Sequence, residues 1–150
     1  ENYKINYIDL VVKKENKNIA GNIIENDIEL INAIHPTGSV MEDAIVEKNI
    51  IIHAGALIGY RAEICSGTFI SYGSIINHHC VLKDCSTIDA GVTLAGNVSV
   101  GRFATVHTGA VIINKIKIGE SSVLGAGTVV IRDVPDNATV VGVPGKIIKQ

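Results

Sequence analysis

From Val40 onward, every sixth residue is Val, Ile or Leu. The run passes through Val46, Ile52, Ile58, Ile64, Ile70, Ile76, Leu82, Ile88, Leu94, Val100, Val106, Ile112, Ile118 and Leu124 to Val130. Those three types make up about a third of the chain, so chance would give this register roughly once in 10^8. A second column stands four residues after each member, from Ala44 and Ile50 through Thr68, Cys80 and Val98 to Thr128 and Val134, and all of it is small or β-branched. An α-helix repeats its apolar positions every 3.6 residues and a half-buried strand every two, so a period of six fits neither. It fits short strands joined by tight corners and wound into a three-faced coil, an all-β parallel β-helix. The large aliphatic points inward from each face, and the small residue fits at the crowded corner. Coils of 18 residues stacking at about 4.8 Å give a little over five coils, roughly 25 Å of prism. Gly59, Gly67, Gly73, Gly91, Gly101, Gly109, Gly119 and Gly127 serve the corners, where positive φ or the lack of a side chain is needed.

Composition narrows the function classes. The 150 residues are one domain's worth, and a formal charge of -2 offers no basic surplus for nucleic acid or an anionic membrane. No apolar run approaches the roughly 20 residues that span a bilayer, and residues 1–20 hold no signal-peptide core, so membrane insertion is not expected. Three cysteines without a staple pattern fit free thiols in a reducing compartment, which reads as cytoplasmic.

Two flanks lie outside the hexads. Residues 1–35 read as a small β-α-β fragment, with strands over Ile8–Val12 and Ile28–Ile34 and a helical stretch over Asn18–Asn26. It ends at His35-Pro36, where proline breaks regular structure. Residues 36–150 form the coil domain. Pro135 closes the last hexad, and Val140–Gln150 forms a capping tail carrying Lys146 and Lys149.

A repeat supplies no chemistry, so the residues that break its bland outward pattern carry the reading. The period puts His35, His53 and His107 in one vertical column, with Ser71 and Asp89 between them. His78 and His79 lie at outward positions on a neighbouring face. Stacking puts Gly96 above His78, and Asn97 above His79. A general base beside a backbone amide with no side chain in front of it is what acyl transfer needs. The hexads run without an inserted loop, and a smooth prism has no cleft. A site must then form between subunits, as in a three-fold packing of prisms.

The hexad array, Asn77-His78-His79-Cys80, Leu94-Ala95-Gly96-Asn97-Val98 and the closing Val140-Val141-Gly142-Val143-Pro144-Gly145-Lys146 together resemble the hexapeptide acyltransferases. More narrowly they are similar to the branch that acetylates sialic acids or nucleotide-linked 4-amino sugars in bacterial surface-glycan synthesis. The resemblance spans about residues 28–150. It implies a left-handed β-helix, a homotrimer, and acetyl-CoA as co-substrate in the groove between subunits. It also implies His78 as general base toward a sugar amine or hydroxyl, and Gly96 as the amide lining the acetyl group. Thr87, Thr108 and Ala126 fall where the family contacts acetyl-CoA, and Lys146 and Lys149 where nucleotide phosphates would lie. The chain departs from the pattern at His79, where Asp or Glu usually follows the base, at Thr87, where some members have His, and at His107, where Gly is common. The family's glycine-rich sugar-nucleotide loop has no counterpart in residues 1–35, which look like the last piece of that Rossmann-like domain. The chain is then a fragment or a short form that finds its acceptor differently.

Two other classes share such a fold. A γ-type carbonic anhydrase binds its metal on three histidines, two of them separated by four residues, a spacing absent here. A non-catalytic scaffold would have no affinity for acetyl-CoA and would be indifferent to changes at His78.

Overall fold

In the computed structural model, residues 31–150 are described; the expected Ile8–Val12 strand and Asn18–Asn26 helix lie outside them. Every described element is a strand, and almost all are two residues long. Such short strands cannot stand alone. Each pairs in parallel with the strand 18 residues before or after it, Thr87–Ile88 for example lying between Phe69–Ile70 and Thr105–Val106. Three parallel sheets result, one per face of the coil. The first face runs from Ala33–Ile34 through Ile51–Ile52, Phe69–Ile70, Thr87–Ile88 and Thr105–Val106 to Val123–Leu124 and Thr139–Val141. The second runs from Ser39–Val40 to Val129–Val130, and the third from Ile45–Val46 to Lys117–Ile118.

Both sequence columns face the core. From Ile52 to Leu124 the first column is essentially inaccessible, and the second is buried from Ile50 to Val134. Four of its small polar members place a hydroxyl or thiol under a corner carbonyl. Thr68 Oγ1 donates to Cys65 O at 2.7 Å, Ser122 Oγ to Gly119 O at 2.8 Å, Ser74 Oγ to Asp89 O at 2.8 Å and Cys80 Sγ to Ala95 O at 3.1 Å. All four carbonyls belong to the same corner position of their own coil or the next one. Because each inward aliphatic contacts its counterparts one coil above and one below, a hole at one level is not filled by sliding the others. Ile70→Ala in mid-stack is expected to cost about 2–5 kcal/mol, read as a lower midpoint in urea unfolding.

The coil is longer than the hexads suggest. Ala33–Ile34 pairs with Ile51–Ile52 and opens the first face, two residues ahead of Pro36. At the other end the register tightens. Val134 bridges Ile118, and Val140 pairs with Leu124, a separation of 16 residues in place of 18. Val134 therefore occupies an inward face position, not the corner that strict counting gives it, and the coil continues past Pro135 to make about six turns. The tail then doubles back: Lys146–Lys149 runs antiparallel to Thr139–Val141 and covers the last edge of the first face.

The three edges differ in how they turn. From Asn49 to Gly127 each corner has one residue with positive φ. On the edge between the first and second faces it is Gly in five successive coils, Gly55, Gly73, Gly91, Gly109 and Gly127. On the edge between the second and third faces it is Arg61, His79, Asn97 and Lys115. A left-handed conformation costs a non-glycine residue of order 1 kcal/mol; this edge accepts that cost four times, and the edge between the third and first faces accepts it at Asn49, Cys85, Phe103, Ser121 and Asn137.

Candidate active site

His78 and His79 sit on that second edge, in the corner that follows Ile75–Ile76. The His78 backbone N–H donates to Asn77 Oδ1 at 2.8 Å. Left-handed φ at His79 (56°) turns its ring back along the chain, and the two Nδ1 atoms approach to 3.1 Å with the rings nearly perpendicular. One Nδ1 must donate and the other accept. Below, the Tyr60 ring meets His79 edge-on at 5.6 Å, and Arg61 lies over Tyr60 at 5.0 Å.

One coil above, Gly96 is buried because the His78 imidazole lies across it. A Cβ built on Gly96 would coincide with the ring's Cε1 and Nε2. Glycine is required here by close approach. On either side, Ala95 N–H reaches Ile112 O and Asn97 N–H reaches His78 O, while the ladder makes no use of the N–H of Gly96 between them. The imidazole and an uncommitted amide donor therefore share one small volume on an exposed edge.

Cys80 follows His79 but points inward and is fully buried. Burial pushes its thiol up, which keeps it protonated and unsuited to nucleophilic work. Cys65 is likewise pushed up, first by burial and then by the carboxylates of Glu47 and Asp84. Glu47, Cys65 and Asp84 are the ligating atoms close enough among the described residues to hold an ion. They include no histidine, Glu47 Oε2 already accepts from Ser66 N at 2.8 Å and Ser66 Oγ at 2.7 Å, and Asp84 pairs with Arg102 at 3.3 Å.

The remaining sequence-predicted residues do not join His78. Thr87 points outward from the first face, and Thr108 and Ala126 lie on the edge between the first and second faces. Lys146 begins the antiparallel tail strand and is exposed. The whole second face separates these residues from His78, His79 and Gly96. His107, in the column with Asp89, makes a contact that the period alone left unspecified: its Nδ1 meets Asp89 Oδ2 at 2.8 Å. Lower in that column, His53 stacks against Tyr72 at 4.4 Å and meets Phe69 edge-on at 5.2 Å.

No family model matches the chain. Solved structures do. The GDP-perosamine N-acetyl transferase of Caulobacter crescentus, a histidine-to-alanine variant bound to CoA and GDP-perosamine, superposes with a TM-score of 0.86 at 32% identity, covering 89% of this chain and 63% of that one. The acetyltransferase domain of PglB from Neisseria gonorrhoeae, bound to acetyl coenzyme A, gives 0.84 at 28% identity, covering 87% of this chain and 64% of that one. WeeI from Acinetobacter baumannii gives 0.84 at 20% identity and speaks to the fold alone. This chain spans just under two thirds of the length of the first two. The stacked parallel coils thus define a hexapeptide-repeat β-solenoid. Its structural neighbours are CoA-binding acetyltransferases, the branch that the histidine, Ala-Gly-Asn and tail segments resemble.

Proposed function

We propose that this protein is an acetyl-CoA-dependent acetyltransferase that acylates an amine or hydroxyl of a sugar, nucleotide-linked or sialic, in the cytoplasmic steps of surface-glycan synthesis. The observation that carries this reading is the His78 imidazole lying against the uncommitted amide of Gly96. When His78 donates its Nδ1 proton to His79, its Nε2 lone pair is free to take a proton from the attacking sugar group. The Gly96 N–H is then positioned for the oxygen of the tetrahedral intermediate. General base catalysis contributes about 10²- to 10⁴-fold, and a single oxyanion donor about 10²- to 10³-fold.

A groove between copies completes the site. The outward residues of the first two faces, among them Ile51, Phe69 and Thr105 on one and Leu57, Ile75 and Val111 on the other, carry no charge. The third face presents Glu63 and Lys117 to solvent. Packing three prisms through the uncharged faces would bring the His78 edge of one copy toward the next copy's first face, which carries Thr87, and its adjoining edge, which carries Thr108 and Ala126. Acetyl-CoA would lie between them, with Lys146 near its phosphates.

Titration calorimetry of the purified protein with acetyl-CoA, alongside sedimentation analysis, tests this reading. The expected result is a trimer binding in the micromolar range near one site per chain, followed by CoA release when amino sugars and sialic acids are screened as acceptors. A folded trimer that does not bind acetyl-CoA would instead be a scaffold.

A further inference from the structure

Proton handling in this molecule is not confined to His78. His107 Nδ1 and Asp89 Oδ2 are 2.8 Å apart across two coils, and the side chains keep 45% and 31% of their accessibility. A carboxylate at Nδ1 fixes the orientation of the imidazole ring and leaves its Nε2 directed away from Asp89. The backbone ladder runs past the pair, with His107 N–H donating to Leu124 O and Asp89 N–H to Val106 O. Its column neighbours, Ser71 below and Gly125 above, are uncharged, and the residues before and after His107 on its own coil are Val106 and Thr108. Asp89 is therefore the titratable partner that faces His107.

The height of the pair gives it a use. His107 comes 11 residues after Gly96, about 0.6 of a coil or roughly 3 Å further along the axis. Thr108 is its chain neighbour, and Ala126 lies one coil beyond. If the acetyl carbonyl rests at Gly96 of one copy and the rest of CoA extends along the Thr108–Ala126 edge of the next, the level just beyond Gly96 is that of the thioester sulfur. We propose that His107, oriented by Asp89 and contributed by the neighbouring copy, is a catalytic residue that protonates the leaving CoA thiolate. This rests on the acetyltransferase reading above. The attacking amine or hydroxyl forms the new C–N or C–O bond as His78 takes its proton. The tetrahedral intermediate then expels the sulfur, the C–S electron pair going to S, and the His107 Nε2 proton moves to that thiolate to give free CoA thiol. Exchange with solvent returns the proton from His78 and restores that of His107.

The prediction is readable without an acceptor, using CoA itself as the probe. A protonated imidazole beside a thiol stabilises the thiolate. Ultraviolet titration of CoA bound to the intact protein is therefore expected to show thiolate at a pH at least about one unit below that of free CoA. His107→Gln should bind CoA comparably yet return its thiol to the free titration, Asp89→Asn should fall between, and His78→Ala should keep the wild-type shift. Unchanged thermal unfolding in His107→Gln would separate this from a packing effect. Bound CoA that titrates like free CoA in the wild type, or a shift that survives His107→Gln, overturns the role of His107 and leaves the acetyltransferase reading standing. Failure of the wild type to bind CoA overturns both.

Discussion

His78→Ala is expected to lower turnover with acetyl-CoA by about 10²- to 10⁴-fold while leaving the coil intact. The ring is on an exposed edge, and its contacts are to the Nδ1 of His79 and the open face of Gly96. Neither supports the core, so the stability change should stay within about 0.5 kcal/mol. Acetyl-CoA affinity should change little, because the ring acts on the attacking group and not on the pantetheine arm; the loss should appear in kcat. His79 sharpens the prediction. A histidine there can accept from His78 only while it is neutral itself, whereas the carboxylate usual at this position accepts at any pH above its own ionisation. His79→Glu should therefore retain activity. Initial rates of CoA release for the two variants over a pH series check both statements. Full activity in His78→Ala would remove it as the base.

Gly96→Ala should cost nearly as much activity by a different route, about 10²-fold or more in kcat. The added methyl would occupy the volume that the His78 imidazole now fills. The obstacle is the mobile end of a side chain and not backbone, so the ring swings outward and the fold survives. That swing breaks the approach to His79 and moves Nε2 away from the reacting group, and the methyl also shields the amide meant for the oxyanion. The contrast is Gly101, where an added Cβ would sit 2.5 Å from the backbone nitrogen of Glu120 and 2.6 Å from the Gly119 carbonyl carbon. There the neighbour cannot rotate away, so Gly101→Ala should lower the unfolding midpoint clearly. Measured together, kcat and thermal midpoint should separate the two glycines: activity lost with stability kept at Gly96, stability lost at Gly101. A Gly96→Ala protein with wild-type kcat would refute the close-approach argument.

Much of this fold was legible in the chain because the repeat is arithmetic. An inward aliphatic every six residues and a small residue four later leave one way to bury both columns, and the positions from Ile52 to Leu124 are buried as that pattern requires. Where the arithmetic stops, so did the reading. The two-residue tightening between Val130 and Val134, which carries the coil on to Val140, depends on which partners the last strands find, and no local period encodes it. The start of the coil at Ala33–Ile34 was hidden by Pro36, which breaks a hydrogen-bonded strand but is tolerated in a corner.

The candidate site divides the same way. The period by itself set His78 beneath Gly96 and His107 above Asp89, because stacking at 18 residues follows directly from three faces of six. It could not say that the two imidazoles of His78 and His79 meet through Nδ1, since that rests on the left-handed φ of His79, nor that His107 and Asp89 actually join, since side-chain torsions are set by the space around them. The period also set Thr87, Thr108 and Ala126 on a different face or edge from His78. Sequence period fixes height along the axis and which face a residue serves. The distance across the prism, and hence the need for a second copy to close the groove, comes from the coil's cross-section, which exists only once the faces have packed.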